Sequence, residues 1–296
     1  MSSLNKLLCK ALCFTLALAA CRSGSDKESA NGHTPNDKAI TWVEGPAGKL
    51  CTYTVGSGSV PIVFVHSLAG EWQQWLHQLY HLGEDRQTIA FDMRGHGRSV
   101  RGTELAYDHE GMVADLAALV EHFGLKRFVL VGHSFGGSVC AAYAGAHPDQ
   151  VAGLLFVDTA GDQRQAPKEQ VQQFIAQVES EKYPDVMLTY WNQLLVHSQE
   201  EVKKRVISAM QATQKEAITG AVKSMQKFDI VSALNNYSGP MLAIISDLNQ
   251  QPYSLHHVVP NLPHKMMSGT GHWLQMDRPE EFNEMMDAFL LKIEKQ

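Results

Sequence analysis

The segment VLVGHSFGG, residues 129–137, sets a serine between glycines as Gly132-His133-Ser134-Phe135-Gly136. A serine hydroxyl is a weak nucleophile until an adjacent base takes its proton. The G-x-S-x-G spacing makes a sharp turn that holds the serine clear of the backbone, and glycines at the flanks remove side chains that would clash there. An apolar run, RFVLVG at 127–132, precedes the turn and a helical pattern follows it. The serine therefore sits where a strand passes into a helix, whose N-terminal dipole favours a developing oxyanion. The N–H of Phe135, directly after the nucleophile, is the first expected oxyanion donor. The partner base is His272, in Gly-Thr-Gly-His-Trp at 269–273, ahead of a final helical segment. The order serine then histidine, on a strand–turn–helix, points to acyl transfer. His77 and His81 share a helix face at i, i+4, but no glutamate completes an H-E-x-x-H pattern. They read as surface residues, and no metal or cofactor is required.

The elements that must position these residues alternate along the chain. ITWVEG and KLCTYTVG, joined through Gly-Pro-Ala-Gly, are expected to pair antiparallel. VPIVFVH (60–66), TIAFD (88–92), RFVLVG (127–132), VAGLLFVD (151–158), MLAIIS (241–246) and HKMMSG (264–269) read as buried strands. Helices are expected around 72–82, over 109–123 with Gly124 ending it, over 134–147 stopped by Pro148, and from Pro279 onward. This rhythm implies a mostly parallel sheet with helices on both faces. Residues 161–238 hold helical patterns alone, with Met187, Leu188, Trp191, Leu194 and Leu195 on one stripe. They are expected to form a cap over the C-terminal edge of the sheet, where open α/β sheets bind ligands.

Four segments, FVHSLAGEWQQW (64–75), FDMRGHGRS (91–99), VGHSFGGS (131–138) and SGTGHWLQMDRPEEF (268–282), occur in an order and form that resemble the α/β-hydrolase superfamily. They are similar to its capped branch of esterases, lipases, C–C hydrolases, haloperoxidase-like enzymes and dehalogenases. The resemblance implies an α/β fold with a mostly parallel eight-stranded sheet. It implies that His66-Ser67-Leu68 stands for the family's His-Gly-X, so that Leu68 supplies the second oxyanion N–H. Serine at 67 would be strained if that position needs a positive φ. His66, His96 and His133, with Asp92, Arg94 and Ser99, are implied to fix loops.

The resemblance allows two places for the third catalytic residue. Many relatives carry an acid after the seventh strand, past a glycine, but here that segment reads Ile245-Ser246-Asp247-Leu248-Asn249. Serine replaces the glycine, and asparagine stands at the usual acid position. The other known place is the end of the sixth strand, where Asp158 lies. Asp158 is the favoured acid and Asp247 the alternative. The expected activity is hydrolysis of a small-molecule carboxylic ester. C–C bond, lactone and peroxidase-like hydrolysis use the same triad and stay open. Serine at 134 argues against dehalogenase and epoxide hydrolase chemistry, which need a carboxylate nucleophile. A catalytically silent binding protein on this fold is the alternative of another class, and would usually have lost the serine or the histidine.

The chain has 296 residues, 44% of them hydrophobic, and a formal net charge of −6, so no basic footprint marks a nucleic-acid partner. Lys6 and Lys10 precede an apolar run, residues 11–20, too short to span a bilayer. The run ends in Leu18-Ala19-Ala20-Cys21, which resembles the lipobox of bacterial lipoproteins. Residues 1–20 are thus expected to be a lipoprotein signal and Cys21 the lipidated residue, an anchor to a membrane of the bacterial cell envelope. An ordinary secretory signal with a chance cysteine is the alternative. Residues 21–39 read as a flexible tether and 40–296 as the hydrolase domain. Of five cysteines only Cys51 and Cys140 fall in that domain, too few for a disulfide framework, and both are expected to be buried thiols.

Overall fold

The computed structural model describes residues 36–295. Residues 1–20, expected to be a signal, and Cys21 lie outside them. Of the stretch expected to be a tether, only residues 36–39 are described, and Asp37–Ala39 form a short 3-10 turn. The strands are β1 (Ile40–Gly45), β2 (Gly48–Val55), β3 (Ser59–Val65), β4 (Arg86–Phe91), β5 (Phe128–His133), β6 (Val151–Val157), β7 (Met241–Ile245) and β8 (His264–Met266). Among the described residues they form one sheet in the order β1-β2-β4-β3-β5-β6-β7-β8. Only the β1–β2 and β2–β4 pairings are antiparallel.

The central strands are apolar on both sides because both faces are covered. Along β3, Val63 and Val65 join one core cluster and Ile62 and Phe64 the other. The first cluster is completed by α2 (His109–His122) and α3 (Phe135–Ala146), the second by α1 (Leu76–Leu82) and α11 (Pro279–Ile293). Two differences from the sequence expectation have local causes. Trp72–Trp75 form a 3-10 turn before α1, and the Trp72 N–H is taken at 2.8 Å by the Asp92 carboxylate. Leu188 leaves the apolar stripe of the cap: Met187, Trp191 and Leu195 are buried, while Leu188 is 37% exposed.

Between β6 and β7 the chain forms α4 (Lys168–Glu179), α5 (Tyr183–Leu194), α6 (Glu200–Ala212), α7 (Lys215–Met225) and α8 (Ile230–Leu234). Short helices α9 (Leu255–Val258) and α10 (Leu274–Asp277) flank β8. Cys51 and Cys140 are free, buried thiols. Burial pushes the Cys51 thiol up to about 12.

Candidate active site

The turn from β5 into α3 holds Ser134 at φ 52°, ψ −118°, outside the regions that L-residues favour. Such strain persists only where the surroundings over-determine it. Here the Ser134 N–H bonds Val157 O at 2.9 Å and Ser134 O accepts from Gly137 N at 3.0 Å. The flanking glycines are sterically required. A Cβ at Gly132 would lie 2.6 Å from Gly136 O, and one at Gly136 would lie 2.4 Å from His66 O. The resulting packing of α3 against β3 leaves Ser134 half-buried at the helix N-terminus.

Asp158 is the first residue after β6 and is 1% exposed. Its backbone is also left-handed, at φ 44°. Its Oδ2 lies 2.6 Å from Nδ1 of His272. The same oxygen accepts the Ser246 hydroxyl at 2.7 Å, and Oδ1 accepts the Ser246 N–H at 2.8 Å. Ser246 follows β7 as Asp158 follows β6, so neighbouring parallel strands place the donor opposite the Asp158 carboxylate. A carboxylate can only accept from Ser246 and from the ring, so Nδ1 of His272 carries the hydrogen and Nε2 faces elsewhere.

Asp247 occupies a different place. Its carboxylate accepts from Gly269 N at 2.8 Å and Ser268 Oγ at 2.9 Å at the surface. Those two donors hold the carboxyl below its ordinary range. Asn249, at the position where relatives carry an acid, donates its side-chain N–H to Thr159 O at 3.1 Å.

Both backbone groups of His272 are fixed. Its N–H bonds Leu194 O at the end of α5 at 2.9 Å, and its carbonyl accepts from Nε2 of His133 at 2.8 Å. The adjacent Gly271 N–H bonds Asp277 Oδ2 at 2.8 Å, and that oxygen also accepts the Ser198 hydroxyl at 3.0 Å. The histidine loop is therefore tied to the cap at two points. Burial raises the Asp277 carboxyl.

The loop after β3 presents Leu68. His66 shapes it: Nε2 accepts from Met93 N at 3.0 Å, so Nδ1 carries the hydrogen and donates to Ser67 O at 2.7 Å. The left-handed residue of this loop is Ala69, at φ 56°, and not Ser67, so the strain considered for serine at 67 does not arise there. Among the described residues the Leu68 and Phe135 amides have no backbone acceptor. Asp92, Arg94 and Ser99 bind loops. Asp92 accepts from Trp72 N and Arg98 N, both at 2.8 Å, Ser99 donates to Asp92 O at 2.5 Å, and Arg94 grips Asp115 through two bonds of 2.6 and 2.7 Å. His81 pairs with Asp287 of α11 at 2.9 Å.

Two features of the site escaped the reading of the sequence. The first is Ser246, visible only as a glycine replaced; its hydroxyl contact with Asp158 needs the register of β6 and β7. The second is His109, whose Nε2 lies 2.8 Å from Ser138 Oγ while Ser138 donates to Phe135 O at 2.6 Å. Ser224 of α7 meets Nδ1 of His109 at 2.7 Å, so this buried ring bridges the cap to the helix that follows Ser134. No local spacing marks that contact.

Ser134, His272, Asp158, Leu68 and Phe135 all border one cavity of about 450 Å³, roofed by α4, α5 and α7. This volume is within the range of small-molecule sites.

Comparison with known proteins agrees with this architecture. A family model described as alpha/beta hydrolase fold matches residues 60–279. A dihydrolipoyllysine-residue acetyltransferase component of the acetoin cleaving system from Pseudomonas putida is 29% identical, over 80% of this chain and 65% of its own length. The chain thus spans just under two thirds of that relative. The sn-1-specific diacylglycerol lipase ABHD11 of Mus musculus is 26% identical, over 79% of this chain and 82% of its own. Among solved structures, a thermophilic esterase from Thermogutta terrifontis superposes with a TM-score of 0.74 at 25% identity, covering 86% of this chain and 98% of its own.

Proposed function

The chain belongs to the alpha/beta hydrolase fold family, and we propose that it is a serine hydrolase that cleaves carboxylic esters through an acyl-enzyme. The observation that carries this reading is the 2.6 Å contact of Asp158 with His272 on the wall of the cavity that also exposes Ser134. With Nδ1 committed to Asp158, Nε2 of His272 is the nitrogen left to take the Ser134 proton. Attack by Ser134 on the ester carbonyl converts it to a tetrahedral oxyanion. The amides of Leu68 and Phe135, together with the N-terminus of α3, are suited to hold that charge. Collapse breaks the ester C–O bond. His272 returns the proton to the departing alcohol, and the acyl group stays on Ser134. A water molecule then gives a proton to His272 and attacks the acyl-enzyme; as the bond to Ser134 breaks, His272 passes that proton to Ser134 and the acid is released. Asp158 fixes the ring tautomer and stabilises the imidazolium each time it forms.

Relatives and neighbours described as a lipase and an esterase support this class of reaction. A series of p-nitrophenyl esters of increasing acyl length tests it. Steady turnover, with a first release of about one p-nitrophenol per protein where deacylation is slow, is the expected result. Stoichiometric binding without any release would make the chain a binding protein.

The proposal extends to location. The sequence Leu18-Ala19-Ala20-Cys21 after a basic and then apolar start supports export and lipidation of Cys21 in a bacterial envelope. Two further chemistries on the same residues, cleavage of lactones and of C–C bonds, are distinguished by the same assays with the corresponding substrates.

A further inference from the structure

We propose that the cavity selects uncharged esters that carry an amide or similar neutral hydrogen-bonding group on an apolar body. The inference rests on the ester-hydrolase reading for the position of the reacting bond, and adds what the rest of the substrate must be.

The cavity wall carries almost no charge. The chain has 25 basic and 31 acidic residues, yet no lysine, arginine or glutamate is among the described residues that border the cavity, and Asp158 is its sole aspartate. That carboxylate is already occupied by His272 and by both donors of Ser246. Of the charged residues next in sequence to the wall of the cap, two close on acidic groups, and Lys168, Glu169 and Lys227 are exposed. Arg164, next to the wall residue Gln163, bonds Asp162 at 2.8 Å and Asp229 at 2.7 Å. Lys223, next to Val222, is paired with Glu179.

Carboxamides are the most numerous polar side chains of the wall, Gln163, Gln170, Gln226, Asn249 and Gln251, and the hydroxyls of serines and tyrosines, equally uncharged, join them. The carboxamides come from three regions, the segment leading into α4 with the first turn of that helix, the end of α7, and the loop after β7. A carboxamide offers two donors and an acceptor but no charge. It therefore matches an amide or hydroxyl and cannot neutralise a carboxylate or ammonium. Between these groups stand Phe174, Met187, Trp191 and Trp273, which favour an apolar body. A charged group brought into such surroundings is desolvated without a partner, whereas a neutral amide recovers its hydrogen bonds.

The test compares two p-nitrophenyl monoesters of nearly equal shape, those of glutaramic acid and of glutaric acid, which differ in a terminal carboxamide against a carboxylate. We expect kcat/KM for the carboxamide ester to exceed that for the carboxylate ester by about a hundredfold or more. Gln226→Lys should narrow this gap by on the order of tenfold, because it sets a cation in the wall. Rates within about threefold of each other, or an unchanged ratio in Gln226→Lys, would overturn the proposal. Binding of the corresponding methyl esters to Ser134→Ala, followed by calorimetry, separates this claim from the hydrolase reading. Tighter binding of the neutral ester upholds selectivity even if neither ester is turned over, and equal binding overturns it even if both are.

Discussion

The hydroxyl of Ser246 reaches the same carboxylate oxygen of Asp158 that His272 uses, at 2.7 Å against 2.6 Å for the ring nitrogen. Serine at the end of β7 thus holds the carboxylate that stands at the end of β6. Ser246→Ala removes one donor from a buried anion and leaves the backbone N–H in place. Hydrogen bonds to charged groups contribute about 1.5–3 kcal/mol, so kcat is expected to fall roughly tenfold or more with KM little changed. Ser246→Thr, which keeps a hydroxyl, should recover most of the rate. An unchanged kcat in Ser246→Ala would reduce Ser246 to packing.

The acid itself is tested by two nearly isosteric changes. Asp158→Asn should lower kcat by roughly 10³-fold or more, because it gives His272 the wrong partner. Asp247→Asn removes a surface carboxylate bonded to Ser268 and Gly269, and should cost less than about tenfold. The opposite ranking would return the role to the loop after β7.

The histidine loop should depend on the cap. Gly271→Ala would bring a Cβ within 2.1 Å of Ser198 Oγ and 3.0 Å of Leu194 O, the groups that tie the loop to the end of α5. It is expected to lower kcat more than Ser198→Ala, which deletes a single bond to Asp277. Hydrogen exchange of residues 268–273 should quicken in both variants. Exchange unaltered in both would show that the cap does not restrain the loop.

Acid should destabilise the fold before its carboxylates titrate fully. Burial holds His66 and His133 well below the ordinary value of 6.5, and His96 and His109 near 4. The unfolded chain takes up protons below about 6.5 and the folded chain does not, so this stability is complete above that pH and is lost as pH falls toward 4. Asp92 opposes it, because burial raises its carboxyl to about 7 and acid relieves that cost. Asp115 and Asp277 oppose it in the same sense. With four histidines on one side, the urea midpoint should be lower at pH 5 than at pH 7.5. An equal or higher midpoint would contradict the neutral histidines.

Lipidation predicts that the mature protein begins at Cys21 and partitions into detergent, and that Cys21→Ser does not. Mass spectrometry of the membrane fraction decides this. An unmodified N-terminus at another residue would leave an ordinary secreted protein.

Most of what positions the site is local and was therefore legible in the sequence. The glycines around Ser134, the valine-rich strands, and Gly271-His272 ahead of a proline-started helix are each short-range signals. The choice between Asp158 and Asp247 was not local. It depends on which strand end faces His272 across the sheet, and the pairing of β6 with β7 sets that. The helical periodicity of α5 marked an apolar stripe but could not show that Leu188 faces outward, because that depends on which neighbours cover it. The ties from Leu194 and Ser198 to the histidine loop span long stretches of chain and have no pattern at all in sequence.

The central claim is that Ser134 carries the acyl group. A fluorophosphonate probe, read by peptide mass mapping, tests it most directly. One adduct per protein is expected, on Ser134, with Ser134→Ala unlabelled and Asp158→Asn labelled far more slowly than the native chain. An adduct on another residue, or full ester turnover by Ser134→Ala, would contradict it.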